Sequence, residues 1–161
     1  MTHDSASPAD RIAVADLLFR FAASFDQKDW NAMRECLGAS IHCDYSSLRG
    51  TPPGEVSRDD YIAQRIGALA ALEMQHELTN LFVTVVDDNA TVRCNFVIRR
   101  FRASSDASPG GDFFHSCGRY LFRLIRRDAA WRIVSITQVV TRNRGNPEIH
   151  GGTPAASKAS S

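Results

Sequence analysis

The sequence has no two cysteines close enough to form a C-x-x-C pair: Cys36, Cys43, Cys94 and Cys117 are far apart and lie inside apolar runs. That leaves buried, reduced thiols as the reading. Charge of one sign is missing too, since the 19 Lys and Arg against 18 Asp and Glu give a formal charge of +1. The basic excess with which nucleic-acid binders neutralise phosphates is therefore absent, as is an acidic tail. No apolar run approaches the ~20 residues needed to span a bilayer. The opening "MTHDSASPAD" lacks the charged-then-apolar pattern of a signal peptide. A cytoplasmic protein bound to neither membrane nor nucleic acid is expected. Gly-rich phosphate loops and metal-ligand spacings are also wanting, so no cofactor and no metal are predicted.

What is present fits one domain. The 161 residues, 43% of them hydrophobic, suffice for one sizeable core and are too few for two. The expected division is a flexible leader over 1–9, a single domain over 10–146 and a disordered tail over 147–161, which lacks apolar periodicity.

From Pro8 to Phe25 the apolar residues Val14, Leu17, Leu18, Phe21, Ala22 and Phe25 recur at three-four spacing, predicting a helix with Pro8 in its first turn. A short helix over about 30–37 follows, with Asp29 as its N-cap, and Asp26 then lies where the first helix ends. "SIHCDYSS" alternates as a half-buried strand would, with Tyr45 on its apolar side, before the turn-rich "RGTPPGE". Ser57 and Asp60 form a capping pair for a third helix, whose Ile62, Ile66, Leu69 and Leu72 face one way. From 75 onward the period becomes two, and four long antiparallel strands are implied. The loop "ASSDASPGG" between the second and third of them is expected to be mobile. The arginines of "IRRFR" and "LIRRD" alternate with apolar residues and read as the sheet's outer face, partly covered by an oligomer interface.

Three helices followed by a strongly curved antiparallel sheet give an α+β class: a cone-shaped roll, its helices packed on the sheet and enclosing a cavity. Such apolar concavities bind small molecules.

The order helix, "FDQKDW", short helix, "DYSS", helix, "QHELTN" and long strands with "GRYLFRLIRRDAAWRI" resembles the nuclear transport factor 2-like superfamily. The resemblance covers roughly 10–146 and points to its SnoaL-like polyketide-cyclase branch, kin to scytalone dehydratase and bile-acid dehydratase. It implies that Asp26 and His76 meet in the cavity as a catalytic dyad. An imidazole titrates near neutral pH and can take a carbon-bound proton if a carboxylate holds its tautomer. By the same resemblance Tyr45 touches a substrate oxygen, although it reads equally well as a core tyrosine with a satisfied hydroxyl.

Asn80 on the His76 strand, Tyr120 and Phe122 in "GRYLF", and Arg142 near the last strand's end are further candidates for substrate contact. His115 has the wrong parity unless Gly118 marks a bulge, and is kept as a secondary candidate. Three functions compete. One is a cofactor-independent lyase or isomerase, dehydratase-like, acting on a small hydrophobic or cyclic, polyketide-like substrate, expected as a homodimer or homotrimer. The second is a non-catalytic β subunit of an aromatic-ring-hydroxylating dioxygenase. The third is a small-ligand-binding protein of the same fold.

Overall fold

The computed structural model describes residues 7–102 and 112–150. Helix α1 (Pro8–Gln27) begins on Ser7, whose Oγ accepts the Asp10 amide at 3.1 Å, so Pro8 and Ala9 are helical rather than leader. It ends at Lys28 in the left-handed region. Helix α2 (Trp30–Cys36) is capped by Asp29, which accepts from the Ala32 amide at 2.9 Å. Strand β1 (Leu37–Asp44) follows directly.

The expected strand through Ser47 stops at Asp44. Its carboxylate accepts the Ser46 amide at 3.1 Å and the Ser46 hydroxyl at 2.6 Å. That local bonding turns the chain into a one-turn helix, α3 (Ser46–Arg49), with Tyr45 at its start. A short strand β2 (Gly54–Ser57) pairs back onto β1. Helix α4 (Arg58–Leu69) opens on the Ser57–Asp60 pair, with the Asp60 amide donating to Ser57 Oγ at 3.1 Å. Its buried face is Tyr61, Ile62, Arg65 and Leu69, while Ile66, expected to face inward, is 46% exposed.

Strands β3 (Leu72–Val86), β4 (Asn89–Arg102), β5 (Phe113–Arg127) and β6 (Ala130–Gly145) form an antiparallel meander. The six-stranded sheet runs β2-β1-β6-β5-β4-β3, antiparallel except where β1 lies parallel to β6. It is curved and unclosed, with β3 at a free edge beside α1. Val14, Leu17, Leu18 and Phe21 of α1 pack with Tyr61 and Ile62 onto Val92, Phe122, Leu124, Ile133 and Ile136 of the sheet. Each fully buried Leu or Ile stabilises by about 1.5–3 kcal/mol. Three of the cysteines are buried and Cys117 is half-buried, all of them reduced.

A smaller cluster of Leu69, Leu72, Phe114 and Ile149 closes the other end, with Phe25, Leu48 and Met74 against it. Ile149 belongs to a 3-10 turn (Pro147–Ile149), which corrects the expectation of disorder for 147–150. The Asn146 amide donates to the Phe113 carbonyl at 2.8 Å, and buried Ile149 holds the turn in place. Residues 151–161 and the 103–111 loop lie outside the described residues. Among those described, no helix is long and apolar enough to cross a membrane.

Candidate active site

The cavity lies between these two clusters. Its volume is about 40 Å³, within a lined space of about 450 Å³ that opens to solvent. Asp26 projects from the last turn of α1 towards β3, which begins four residues before His76, so the histidine sits inside the strand rather than at its mouth. Because β3 is an edge strand, the His76 amide is free of the ladder, and it donates to Asp26 Oδ2 at 2.9 Å. The second oxygen, Oδ1, lies 2.6 Å from His76 Nδ1. One carboxylate thus fixes both the backbone and the ring, and Phe25 stacks on that ring at 4.7 Å. A carboxylate accepts only, so Nδ1 carries the hydrogen and the neutral ring keeps its lone pair on Nε2. The His76 side chain is 9% exposed and lines the cavity. Burial lowers its pKa below 6.5, opposed by the bond and the charge of Asp26 and assisted by the Arg100 charge. The ring is therefore neutral at pH 7, the form a base needs.

Tyr45 reaches the cavity from the start of α3 rather than from a strand, with its hydroxyl 2.8 Å from that of buried Tyr61. When Tyr61 donates in this pair, the Tyr45 proton is left for the cavity. Tyr120 also lines it and accepts from Gln138 Nε2 at 2.6 Å. Desolvation raises the pKa of Tyr45, Tyr61 and Tyr120, so all three stay neutral donors.

Four expected contacts fall elsewhere. Asn80 is exposed at φ +54°, where Asn80 and Leu81 together oppose Cys94; this bulge breaks the alternation that would have aimed Asn80 inward. Arg142 is exposed because Thr141 is an extra residue in β6, which sets Arg142 beside Cys117 on the outer side. His115 keeps its outward parity and packs against Phe101 and Phe113. The bulge at Gly118 exists, but its extra residue is in β6, so β5 does not change face. Phe122 is inward but 1% exposed, in the core beneath Tyr120 rather than on the cavity wall.

Other residues line the cavity unannounced: Arg49, Arg65, Arg100, Gln138 and His150. Reading "IRRFR" wholly as outer face is wrong for Arg100, which is 4% exposed. Its parity with Cys94, Phe96 and Ile98 was available in the sequence and is the signal that finds it. Arg65 falls one helical turn after Tyr61, and Gln138 has the parity of Ile136. His150 had no comparable signal. Arg99, the outward neighbour of Arg100, pairs with Glu77. Among the described residues no group of three or more His, Cys, Asp or Glu is placed to hold a metal.

Residues 6–137 match the SnoaL-like domain family. The chain belongs to that family. It is 28% identical over 155 residues to terrestric acid biosynthesis cluster protein E of Penicillium crustosum, covering 91% of this chain and 94% of the relative. The Kfla4162 protein of Kribbella flavida superposes with a TM-score of 0.83 at 24% identity, covering 88% of this chain and 97% of that one. A type 2 hexachlorocyclohexane dehydrochlorinase superposes with a TM-score of 0.70 at 17% identity, covering 91% and 95%. These two likenesses establish the fold, helices packed on a curved, unclosed sheet. Within the SnoaL-like domain the matched span contains Asp26, His76 and Tyr120 and stops one residue before Gln138.

Proposed function

We propose that this SnoaL-like protein is a cofactor-independent lyase or isomerase, dehydratase-like, acting on a small cyclic or polyketide-like molecule. The observation that carries the reading is the 2.6 Å contact between Asp26 Oδ1 and His76 Nδ1, on a ring that lines the cavity and whose other nitrogen makes no hydrogen bond among the described residues. In the dehydratase form, His76 Nε2 takes a proton from carbon and the electron pair forms the new C=C bond. The β-hydroxyl departs with the proton that His76 returns to it. One C–H and one C–O bond break, one C=C bond and one water form, and the enzyme is regenerated. Asp26 steadies the imidazolium between these steps, and the Tyr45 hydroxyl donates to the substrate's carbonyl oxygen as charge grows there. In the isomerase form the proton returns to a different carbon. The relative named for terrestric acid biosynthesis supports a small metabolite as substrate.

The test is turnover of cyclic β-hydroxy ketones and hydroxylated polyketides by the wild type and by His76→Ala. A loss of about 10²–10⁴-fold is expected in the variant. Equal rates would refute the base, and binding across the panel with no turnover would favour a ligand-binding protein instead. Self-association is part of the proposal: Phe82, Leu121 and Val139 are exposed on the sheet's outer face. Sedimentation should give a dimer or trimer, and a fully active monomer removes that part.

A further inference from the structure

The cavity gathers three guanidinium groups and no carboxylate. Arg65 and Arg100 are 6% and 4% exposed, and Arg49 stands beside them on α3. Among the described residues none of the three forms an ion pair. Arg100 donates to Ser116 Oγ at 3.1 Å and lies over Phe114. Arg65 donates to the Tyr61 carbonyl at 3.4 Å and to Gln64 Oε1 at 3.1 Å, and lies 3.6 Å over the Tyr61 ring. Arg49 stands over Tyr45 at 5.8 Å, and its buried Nε has no partner among the described residues. These are neutral acceptors and ring faces. Asp26, the acid beside His76, is engaged by it through both oxygens.

Burying like charges together without a counter-charge is costly, and removing water from them sharpens their repulsion. Burial, together with the Arg49 charge, pulls Arg100 down to about 10 despite the opposing influence of Tyr120. Further unspent capacity belongs to residues lining the same void: among the described residues, Gln138 Oε1 and both ring nitrogens of His150 are buried without partners. A planar anion with two oxygens supplies what the arginines lack, since it accepts side-on hydrogen bonds from guanidinium groups.

We propose that the substrate is an anion, a carboxylate or the enolate of a 1,3-dicarbonyl, whose paired oxygens are held by Arg65 and Arg100 with Arg49 at the mouth. This rests on the lyase or isomerase reading only in calling the ligand a substrate. The anion site itself does not need His76.

The test is calorimetric binding to the full chain, with benzoate as the carboxylate probe and 1,3-cyclohexanedione as the enolate probe. Benzamide and cyclohexanone serve as their neutral counterparts. At least one anion should bind at least tenfold more tightly than its neutral counterpart, and which one does so identifies the source of the charge. Arg100→Met, which keeps the volume and removes the charge, should weaken that anion at least tenfold. Its melting temperature without ligand should equal or exceed the wild type's, because an uncompensated buried cation has been removed. Neutral probes binding as well as the anions would overturn the proposal. So would undiminished anion affinity in Arg100→Met, or a lowered melting temperature showing that the arginine serves the fold. His76→Ala separates the two readings. Retained anion binding with lost turnover supports both, whereas retained turnover removes the base and leaves the anion site standing.

Discussion

Asp26 has two oxygens and both are engaged, one by a backbone amide and one by a ring nitrogen. Asparagine keeps the shape but offers only one acceptor, so Asp26→Asn must abandon either the edge amide or the ring. An NH2 group turned towards Nδ1 also moves the imidazole hydrogen to Nε2, the nitrogen that has to be bare. A fall in kcat/KM of about 10²–10⁴-fold is expected. The pH profile adds a sign. Burial lowers the His76 pKa while the Asp26 bond and charge raise it, so the wild-type acidic limb lies below pH 6.5. Removing the Asp26 charge leaves burial and Arg100 unopposed and moves the residual limb to lower pH. A limb that moved upward, or a rate within twofold of the wild type, would deny Asp26 this role.

At the scale of elements, the meander depends on a close approach at Gly118. A Cβ there would meet the Val139 carbonyl at 2.1 Å and the Thr141 amide at 3.0 Å. Both are backbone atoms of the β6 bulge, so no side chain can swing aside. Gly118→Ala is expected to destabilise by about 2–4 kcal/mol in urea melts. The control, Gly67→Ala on the exposed face of α4, meets nothing within 4 Å and should stabilise by up to about 1 kcal/mol. Equal midpoints for the two variants would show that the bulge yields freely. The same bulges explain what the sequence could and could not reveal. Caps at Asp29 and Ser57, the three-four spacing of α1 and the alternation of β4 and β5 are local, and were legible. Alternation failed at Asn80 and Arg142 because one inserted residue reverses every later side chain, and only pairing with the neighbouring strand shows the insertion. Ile66 was misassigned because Tyr61 and Arg65, amphipathic residues that do not look like core, take the buried face of α4. The meeting of Asp26 and His76, fifty residues apart, followed from resemblance and not from spacing.

For the whole molecule, one cavity that holds three arginines and two histidines ties stability to pH. Desolvation first, then the charges of Arg100, Arg49 and Arg65, pull the His150 pKa down to about 3; burial likewise lowers that of His76. In the unfolded chain both rings titrate near 6.5. Between the unfolded and folded values the unfolded chain therefore binds more protons. Stability is whole above pH 6.5 and declines as the pH falls towards the folded values. Carboxylates reach their own unfolded values only near pH 4. The interval from pH 6.5 to 5 is thus governed mainly by these histidines. Over it, His150 should contribute a loss of up to about 2 kcal/mol. Urea unfolding of the wild type and of His150→Gln at half-unit steps measures this directly. The variant should show a flatter decline, with the remainder due to His76, and the wild-type stability minus that of the variant should fall by up to about 2 kcal/mol from pH 6.5 to 5. A slope unchanged by His150→Gln would mean that the ring is protonated in the folded chain near its ordinary pKa. The three guanidinium groups would then not act on it at close range.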